Sequence, residues 1–147
     1  KNFFKISSKQ VKAFRAINTR RHIANYFYGS LWETKGIESI NFSIENINTL
    51  KKYLDNKKIN LLVVIFPWPF EIADKVPREN YVNYIDQAFR ANEINYISAY
   101  NDFLQGDIYT NISENYIYND MHFNGNGNKI LSDSIWNEHK KTIIAKD

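Results

Sequence analysis

Leu61-Leu62-Val63-Val64-Ile65-Phe66 is the most strongly apolar segment of this chain, and it runs directly into Pro67-Trp68-Pro69-Phe70. Six apolar residues without alternation are typical of a strand that is buried on both faces, as in a parallel sheet covered by helices. The two prolines end strand pairing, because proline has no amide hydrogen to donate. The segment therefore predicts a central parallel strand that ends in a loop.

The loop after this strand is a candidate ligand-binding region. Open α/β sheets bind ligands beyond the carboxyl ends of their strands, which is where this loop should lie. Trp68 and Phe70 are therefore candidate walls of a substrate pocket. An equally reasonable role for both side chains is to cover the hydrophobic core.

Helical and strand patterns alternate along the rest of the chain. Apolar residues at intervals of three and four predict helices over 42–54, with Leu50 on the buried stripe, from Pro77 to about Glu93, and after Gly127. Residues 95–100 predict a second, shorter parallel strand, and residues 105–118 an irregular surface segment. This order predicts an α/β fold, specifically a three-layer α/β/α sandwich, formed by residues 1–147 as a single domain.

Length and composition restrict the class of protein. A chain of 147 residues with 44% apolar and 16% aromatic content can bury a core and is not expected to be disordered. No apolar run approaches the length of a membrane span. The absence of cysteine excludes disulfides and thiol chemistry.

Charge is distributed unevenly along the chain. Residues 1–60 contain 12 Lys and Arg against 4 Asp and Glu, a balance of +8, whereas residues 61–147 contain 7 against 12, a balance of −5. The basic part could face an acidic polymer or a phosphate-rich surface, although a solvated helix face is the simpler interpretation. Nucleic acid is not expected as a partner, because the chain has no recognition motif and only a modest positive charge.

The segment from Asn119 to Asn128 places Asp120 and His122 two residues apart, just before glycines and the final helix. A short loop can aim the Asp120 carboxylate at one ring nitrogen of His122, which leaves the other nitrogen to take a proton from a nucleophile. This is the base-and-orienter half of an acyl-transfer triad. The alternatives are a purely structural hydrogen bond and a metal site with Asp102 or His139 as a third ligand.

A nucleophile is harder to find in this sequence. Ser30 follows Gly29, but a nucleophile elbow should come directly after a buried strand, and the residues before Ser30 do not form one. Ser7 and Ser8 are no better placed.

Asp120-Met121-His122-Phe123-Asn124, followed by Gly127 and a terminal helix, resembles the last conserved block of the SGNH/GDSL hydrolase superfamily. The two-residue spacing is most similar to the branch that contains polysaccharide O-acetyltransferases. The strand that ends in Phe66-Pro67-Trp68-Pro69 is similar to the family strand that precedes a pocket loop. The resemblance covers roughly residues 40–140, which would correspond to the C-terminal half of the family fold.

The resemblance implies a flavodoxin-like fold and a serine esterase or O-acyltransferase that acts on acyl, chiefly acetyl, esters of a carbohydrate. Asp120 would orient His122, His122 would be the general base, and Asn124 would join Trp68 and Phe70 in binding substrate. No cofactor and no metal would be required, and an extracytoplasmic location would be expected.

The family's first block, a strand that runs into Gly-Asp-Ser, has no counterpart in this sequence, nor do its oxyanion-hole blocks. We therefore expect the serine to lie in an N-terminal portion outside this chain, with that portion or a second copy covering an exposed sheet edge. The alternative function is a non-catalytic carbohydrate-binding or interaction domain with a degenerate SGNH fold, in which Trp68, Phe70, Tyr116 and Tyr118 stack on sugar rings.

Overall fold

The computed structural model describes residues 6–74 and 81–144, apart from the side chains at 139 and 141–144. The chain is mixed α/β: it is mostly helical and contains a two-stranded parallel sheet. The helices are α1 (Ser8–Asn18), α2 (Ala24–Phe27), α3 (Ile37–Asn56), α4 (Pro69–Asp74), α5 (Tyr81–Ala91), α6 (Tyr100–Phe103), α7 (Ile108–Asn115) and α8 (Gly125–Ile144). The strands are β1 (Val63–Ile65) and β2 (Tyr96–Ser98).

The predicted strands are present but short. The amide of Val63 donates to the carbonyl of Asn95 at 2.9 Å, and the amide of Ala99 donates to the carbonyl of Ile65 at 2.9 Å. The expectation that the first strand is buried on both faces is wrong, because all three residues of β1 are only half-buried and Phe66 is 39% exposed. An apolar run records the character of the side chains, whereas burial depends on what packs over them, and β2 is the only described strand that pairs with β1.

Several helices differ from their predicted bounds. A π-helical turn, Trp32–Gly36, leads directly into α3, which therefore begins well before residue 42. The predicted stripe holds at Ile44, which is buried, but Leu50 is 47% exposed. The predicted helix start at Pro77 lies outside the described residues.

The prediction of an irregular segment at 105–118 is wrong, because α7 occupies much of it. Asp107 caps this helix: its side chain accepts a hydrogen bond from the amide of Thr110 at 2.9 Å. Ile112 then anchors the helix as a fully buried side chain. The many Asn and Tyr residues hide this helix in the sequence, since their helix propensity is unremarkable and the stabilisation comes from tertiary packing.

The described residues divide into two compact units. The first unit comprises residues 6–21, 65–74 and 98–144. In it α1 packs on α7 and α4, and α8 packs on α6 and α7. Its core includes Phe70, Ile72, Phe103 and Ile112, all at most 1% exposed.

The second unit comprises residues 22–64 and 81–97. Here α3 packs on α5, whose Tyr81, Val82 and Phe89 are buried, on the face that the apolar spacing predicts. The ring of Trp32 meets that of Tyr84 edge-on at 5.8 Å. Across the part of the chain that the structure describes, none of the helices is both long enough and apolar enough to cross a membrane.

Candidate active site

A small hairpin formed by residues 116–123 presents Asp120 and His122. Tyr116 and Phe123 form an antiparallel bridge, and the amide of Ile117 donates to the carbonyl of His122 at 2.9 Å. The turn is closed by the amide of Asp120, which donates to the carbonyl of Ile117 at 3.1 Å. Asn119 adopts a positive φ of 60°, a conformation that asparagine tolerates better than most residues.

The hydrogen bond expected between the two candidate catalytic side chains is present. Oδ1 of Asp120 lies 2.8 Å from Nδ1 of His122. The same oxygen accepts from the amides of Met121 at 2.6 Å and His122 at 3.3 Å. The hydrogen bond from His122, followed by that from the Met121 amide, lowers the pKa of Asp120. The carboxylate therefore stays ionised near neutral pH and fixes the orientation of the ring.

The other edge of the imidazole is open. The side chain of His122 is 70% exposed, and its Nε2 makes no hydrogen bond with any described residue. The serines considered from the sequence are placed elsewhere: Ser7 caps α1 and Ser8 is its first residue. Ser30 follows the short helix α2 rather than a strand. Within the described residues, the contact at this site is therefore the hydrogen bond between Asp120 and His122.

The hairpin is anchored to the core of the first unit by aromatic side chains. The hydroxyl of Tyr116 donates to the carbonyl of Pro67 at 2.7 Å, in a buried position. The ring of Phe123 stacks on that of Phe103 at 4.6 Å and also meets Phe66 at 5.0 Å. Since Phe123 directly follows His122, this packing restricts the backbone that carries the imidazole.

Asn124 ties the hairpin to the start of α8. Its Oδ1 accepts from the amides of Asn126 at 2.9 Å and Gly127 at 3.2 Å, which is the N-cap arrangement. Its Nδ2 donates to the carbonyls of Glu114 at 2.8 Å and Tyr116 at 3.3 Å. Both the oxygen and the nitrogen of the Asn124 side-chain amide are thus hydrogen-bonded to the backbone. The predicted part of Asn124 in substrate binding stays a prediction.

The two other predicted pocket residues lie in the loop after β1 and in α4. Phe70 is completely buried and meets the ring of Trp68 edge-on at 5.4 Å, while Trp68 is half-buried. Phe70 therefore lies in the core of the first unit, and the predicted part of Trp68 and Phe70 in substrate binding stays a prediction.

Glu71 is a buried acid in the same region that was not among the residues predicted from the sequence. Its Oε2 accepts from the amide of Trp68 at 2.6 Å, and its Oε1 accepts from the hydroxyl of Tyr100 at 2.8 Å. Burial raises the pKa of Glu71 to about 7 despite these two hydrogen bonds. The only sequence signal was a lone acid between apolar residues directly after the Pro-Trp-Pro turn.

A cleft of about 270 Å³ lies beside the hairpin in the first unit. It brings together Tyr116, Tyr118 and Asn124 with Lys12 of α1 and Ile112 of α7. Trp68 and Phe70 do not line it. Tyr116, Tyr118 and Asn124, which were predicted to contact substrate or sugar, therefore line the same cavity.

The candidate metal ligands do not form a cluster among the described residues. Asp102 accepts a hydrogen bond from the hydroxyl of Ser134 at 2.6 Å, and the side chain of His139 lies outside the described residues. Among residues 6–74 and 81–144, no three His, Asp or Glu side chains are grouped closely enough to hold a metal ion.

Comparison with known proteins adds no assignment. The sequence matches no protein-family model, and neither the curated proteins nor the solved structures contain a match to this chain.

Proposed function

We propose that this chain supplies the general base of an SGNH-type serine esterase or O-acyltransferase that acts on acyl, chiefly acetyl, esters of a carbohydrate. The observation that carries the proposal is the 2.8 Å contact between Oδ1 of Asp120 and Nδ1 of His122, with Nε2 left open. A carboxylate on one ring nitrogen holds the imidazole in the tautomer that can accept a proton at the other.

The reaction follows from that arrangement. Nε2 of His122 takes the proton of a serine hydroxyl while the serine oxygen bonds to the acyl carbonyl carbon. The imidazolium, stabilised by Asp120, then returns the proton to the sugar oxygen as the ester bond breaks, which leaves an acyl-enzyme. Water or a second sugar hydroxyl takes up the acyl group by the same steps, with His122 again acting as base and then as acid.

The nucleophile would come from a segment outside these 147 residues, because the sequence contains no Gly-Asp-Ser block. We propose that the same segment, or a second copy, adds to the parallel pair of β1 and β2 and so completes a three-layer α/β/α sandwich. The parallel pairing supports this, since parallel sheets of two strands are rarely stable alone and are usually covered on both faces.

Hydrolysis of an aryl acetate tests the proposal. The protein should be produced with any upstream segment that carries Gly-Asp-Ser, and initial rates compared for the parent, His122→Ala and His22→Ala. His22 is also exposed and serves as the matched control. We expect His122→Ala to reduce kcat by about 10³-fold or more and His22→Ala to leave it unchanged. Equal rates in all three proteins would contradict the assignment of His122.

The second candidate is a carbohydrate-binding domain without catalysis. Two observations favour it: the imidazole is 70% exposed without a hydroxyl partner among the described residues, and two tyrosines line the adjacent cleft. Glycan binding with no turnover, in a protein that includes the upstream segment, would select this candidate over the esterase.

A further inference from the structure

The cleft beside the hairpin combines a cation with aromatic rings. It lies between α1, the end of α7 and residues 116–118, and Lys12, Tyr116 and Tyr118 are among its lining residues. Tyr116 is 3% exposed and forms part of the buried wall, whereas Tyr118 is 51% exposed. The cleft has a volume of about 270 Å³, which is close to the lower end of the range for small-molecule sites, roughly 300–1,000 Å³. This volume suits a single sugar-sized ring.

The charge balance around the cleft is positive. Lys12 forms no ion pair with any carboxylate in the described part of the chain. Arg15, one turn further along α1, lies over the ring of Tyr118 at 5.3 Å. Of the nearby acids, Glu114 pairs with Lys9 at 2.6 Å, and the carboxylate of Asp120 is held by His122 at 2.8 Å. Among the described residues, Lys12 and Arg15 are therefore left without a partner carboxylate.

The cleft is also next to the proposed chemistry. Its lining includes Ile117, whose amide is bonded to the carbonyl of His122, and Asn124, two residues after that histidine. A ligand held in the cleft would thus lie beside the hairpin that carries the base. Aromatic side chains give a flat apolar surface for a sugar ring, while a lysine ammonium selects for a negative charge on it.

We infer that this cleft binds a negatively charged sugar residue, with Lys12 as the principal cation and Tyr118 as the exposed ring beside it. The negative group is a carboxylate, a sulfate or a phosphate, since an ammonium ion attracts all three. The inference deepens the proposed function, on which it rests, by naming an acidic carbohydrate as the class of ester substrate. Binding itself requires only the cleft and no chemistry at His122.

Titration by NMR tests the inference on the 147-residue chain. Glucuronate, glucose 6-sulfate, glucose 6-phosphate and neutral glucose are added in turn, and shifts of the Tyr118 and Lys12 resonances are followed. We expect the charged sugars to bind about three- to tenfold more tightly than glucose at low salt, and the difference to shrink as salt is raised. The three anionic probes establish which acidic group is preferred.

Substitutions test whether Lys12 is the residue that gives the preference for charged sugars. Lys12→Gln should abolish the preference for charged sugars, and Lys12→Arg should retain it. Tyr118→Ala should weaken the binding of all four sugars. Lys52→Gln removes the same charge from an exposed position on α3 and should change nothing. Equal binding of glucose and glucuronate, or loss of selectivity in the Lys52 variant as well, would overturn the inference.

His122→Ala separates this inference from the proposed function. The variant should bind glucuronate as the parent does, because the imidazole does not line the cleft. Retained selective binding in a protein that shows no esterase activity would reject the proposed chemistry and keep the cleft assignment. Esterase activity without selectivity for charged sugars would do the reverse.

Discussion

At the scale of single residues, the contact between Asp120 and His122 is the feature on which the proposed function depends. Both side chains belong to one short loop, so their hydrogen bond could be predicted from spacing alone. The burial of Glu71 could not be predicted, because it depends on Tyr100 and on packing between segments distant in sequence. A local sequence pattern can predict contacts between residues that are close in sequence. It cannot show which side chains become buried when distant segments pack together.

Asp120→Asn should lower kcat strongly in the protein that includes the serine. The carboxamide can present its NH₂ group to Nδ1 and so favour the wrong tautomer of His122, an effect on the order of 10³- to 10⁴-fold in comparable triads. The measurement is kcat for an aryl acetate, with Asp133→Asn as control, since Asp133 is exposed and pairs with Lys129 on the surface of α8. A loss of less than tenfold would show that Asp120 does not orient the base.

Glu71→Gln should change how stability depends on pH. The pKa of Glu71 is about 7 in the folded protein against 4.5 for an unperturbed glutamate side chain, so the folded state holds this proton more tightly. The contribution of Glu71 to the free energy of unfolding is therefore greatest below pH 4.5 and falls as pH rises through 7, by about 3 kcal/mol in all. Glutamine keeps an acceptor oxygen but does not titrate.

Urea unfolding at pH 5 and pH 8 measures this effect. The parent should lose more stability between the two pH values than Glu71→Gln, because only the parent must ionise a buried group. Identical losses in the two proteins would mean that Glu71 is not protonated preferentially in the folded state.

At the scale of elements, the start of α8 holds the hairpin in place. Asn124 caps this helix, and Gly127 is buried where the chain passes close to the carbonyl of Asn115 and the ring of Phe123. The sequence indicated a terminal helix after this loop, and the helix is present from Gly125. It could not indicate α7, whose position depends on the cap at Asp107 and on the buried Ile112.

Gly127→Ala and Gly125→Ala form a matched pair that tests this junction. A Cβ at Gly127 would collide with the carbonyl of Asn115 and the ring of Phe123, whereas a Cβ at Gly125 would meet nothing within 4 Å. We expect Gly127→Ala to lower the free energy of unfolding by about 1–3 kcal/mol and Gly125→Ala to be neutral or slightly stabilising. Chemical denaturation provides the comparison, and equal effects at both positions would contradict the close packing at Gly127.

At the scale of the whole molecule, the mixed α/β class was predictable from the alternation of helical and strand patterns. The extent of the sheet was not, because the apolar run at 61–66 predicts a covered strand and does not say which segment covers it. Two strands are described, and the proposed sandwich requires more of them. The same requirement applies to the chemistry, since the proposed serine belongs to the added segment.

The 147-residue chain alone should therefore show no hydrolysis of an aryl acetate that depends on His122. Adding the upstream segment that carries the serine, either covalently or as a separate chain, should produce that activity. The measurement compares rates for the chain alone, for the combined protein and for each with His122→Ala. Turnover that depends on His122 in the chain alone would place the nucleophile within these residues. It would refute the proposal that the serine belongs to a separate segment.

Covalent labelling by a fluorophosphonate reports directly on whether His122 activates a serine, because the reagent reacts with a serine only when a base activates its hydroxyl. Intact mass and peptide mapping would be carried out on the protein with its upstream segment, with His122→Ala and with His22→Ala. We expect one labelled serine in the parent and in the His22 variant, and little or none in the His122 variant. Equal labelling of that serine in the absence of His122 would contradict this expectation.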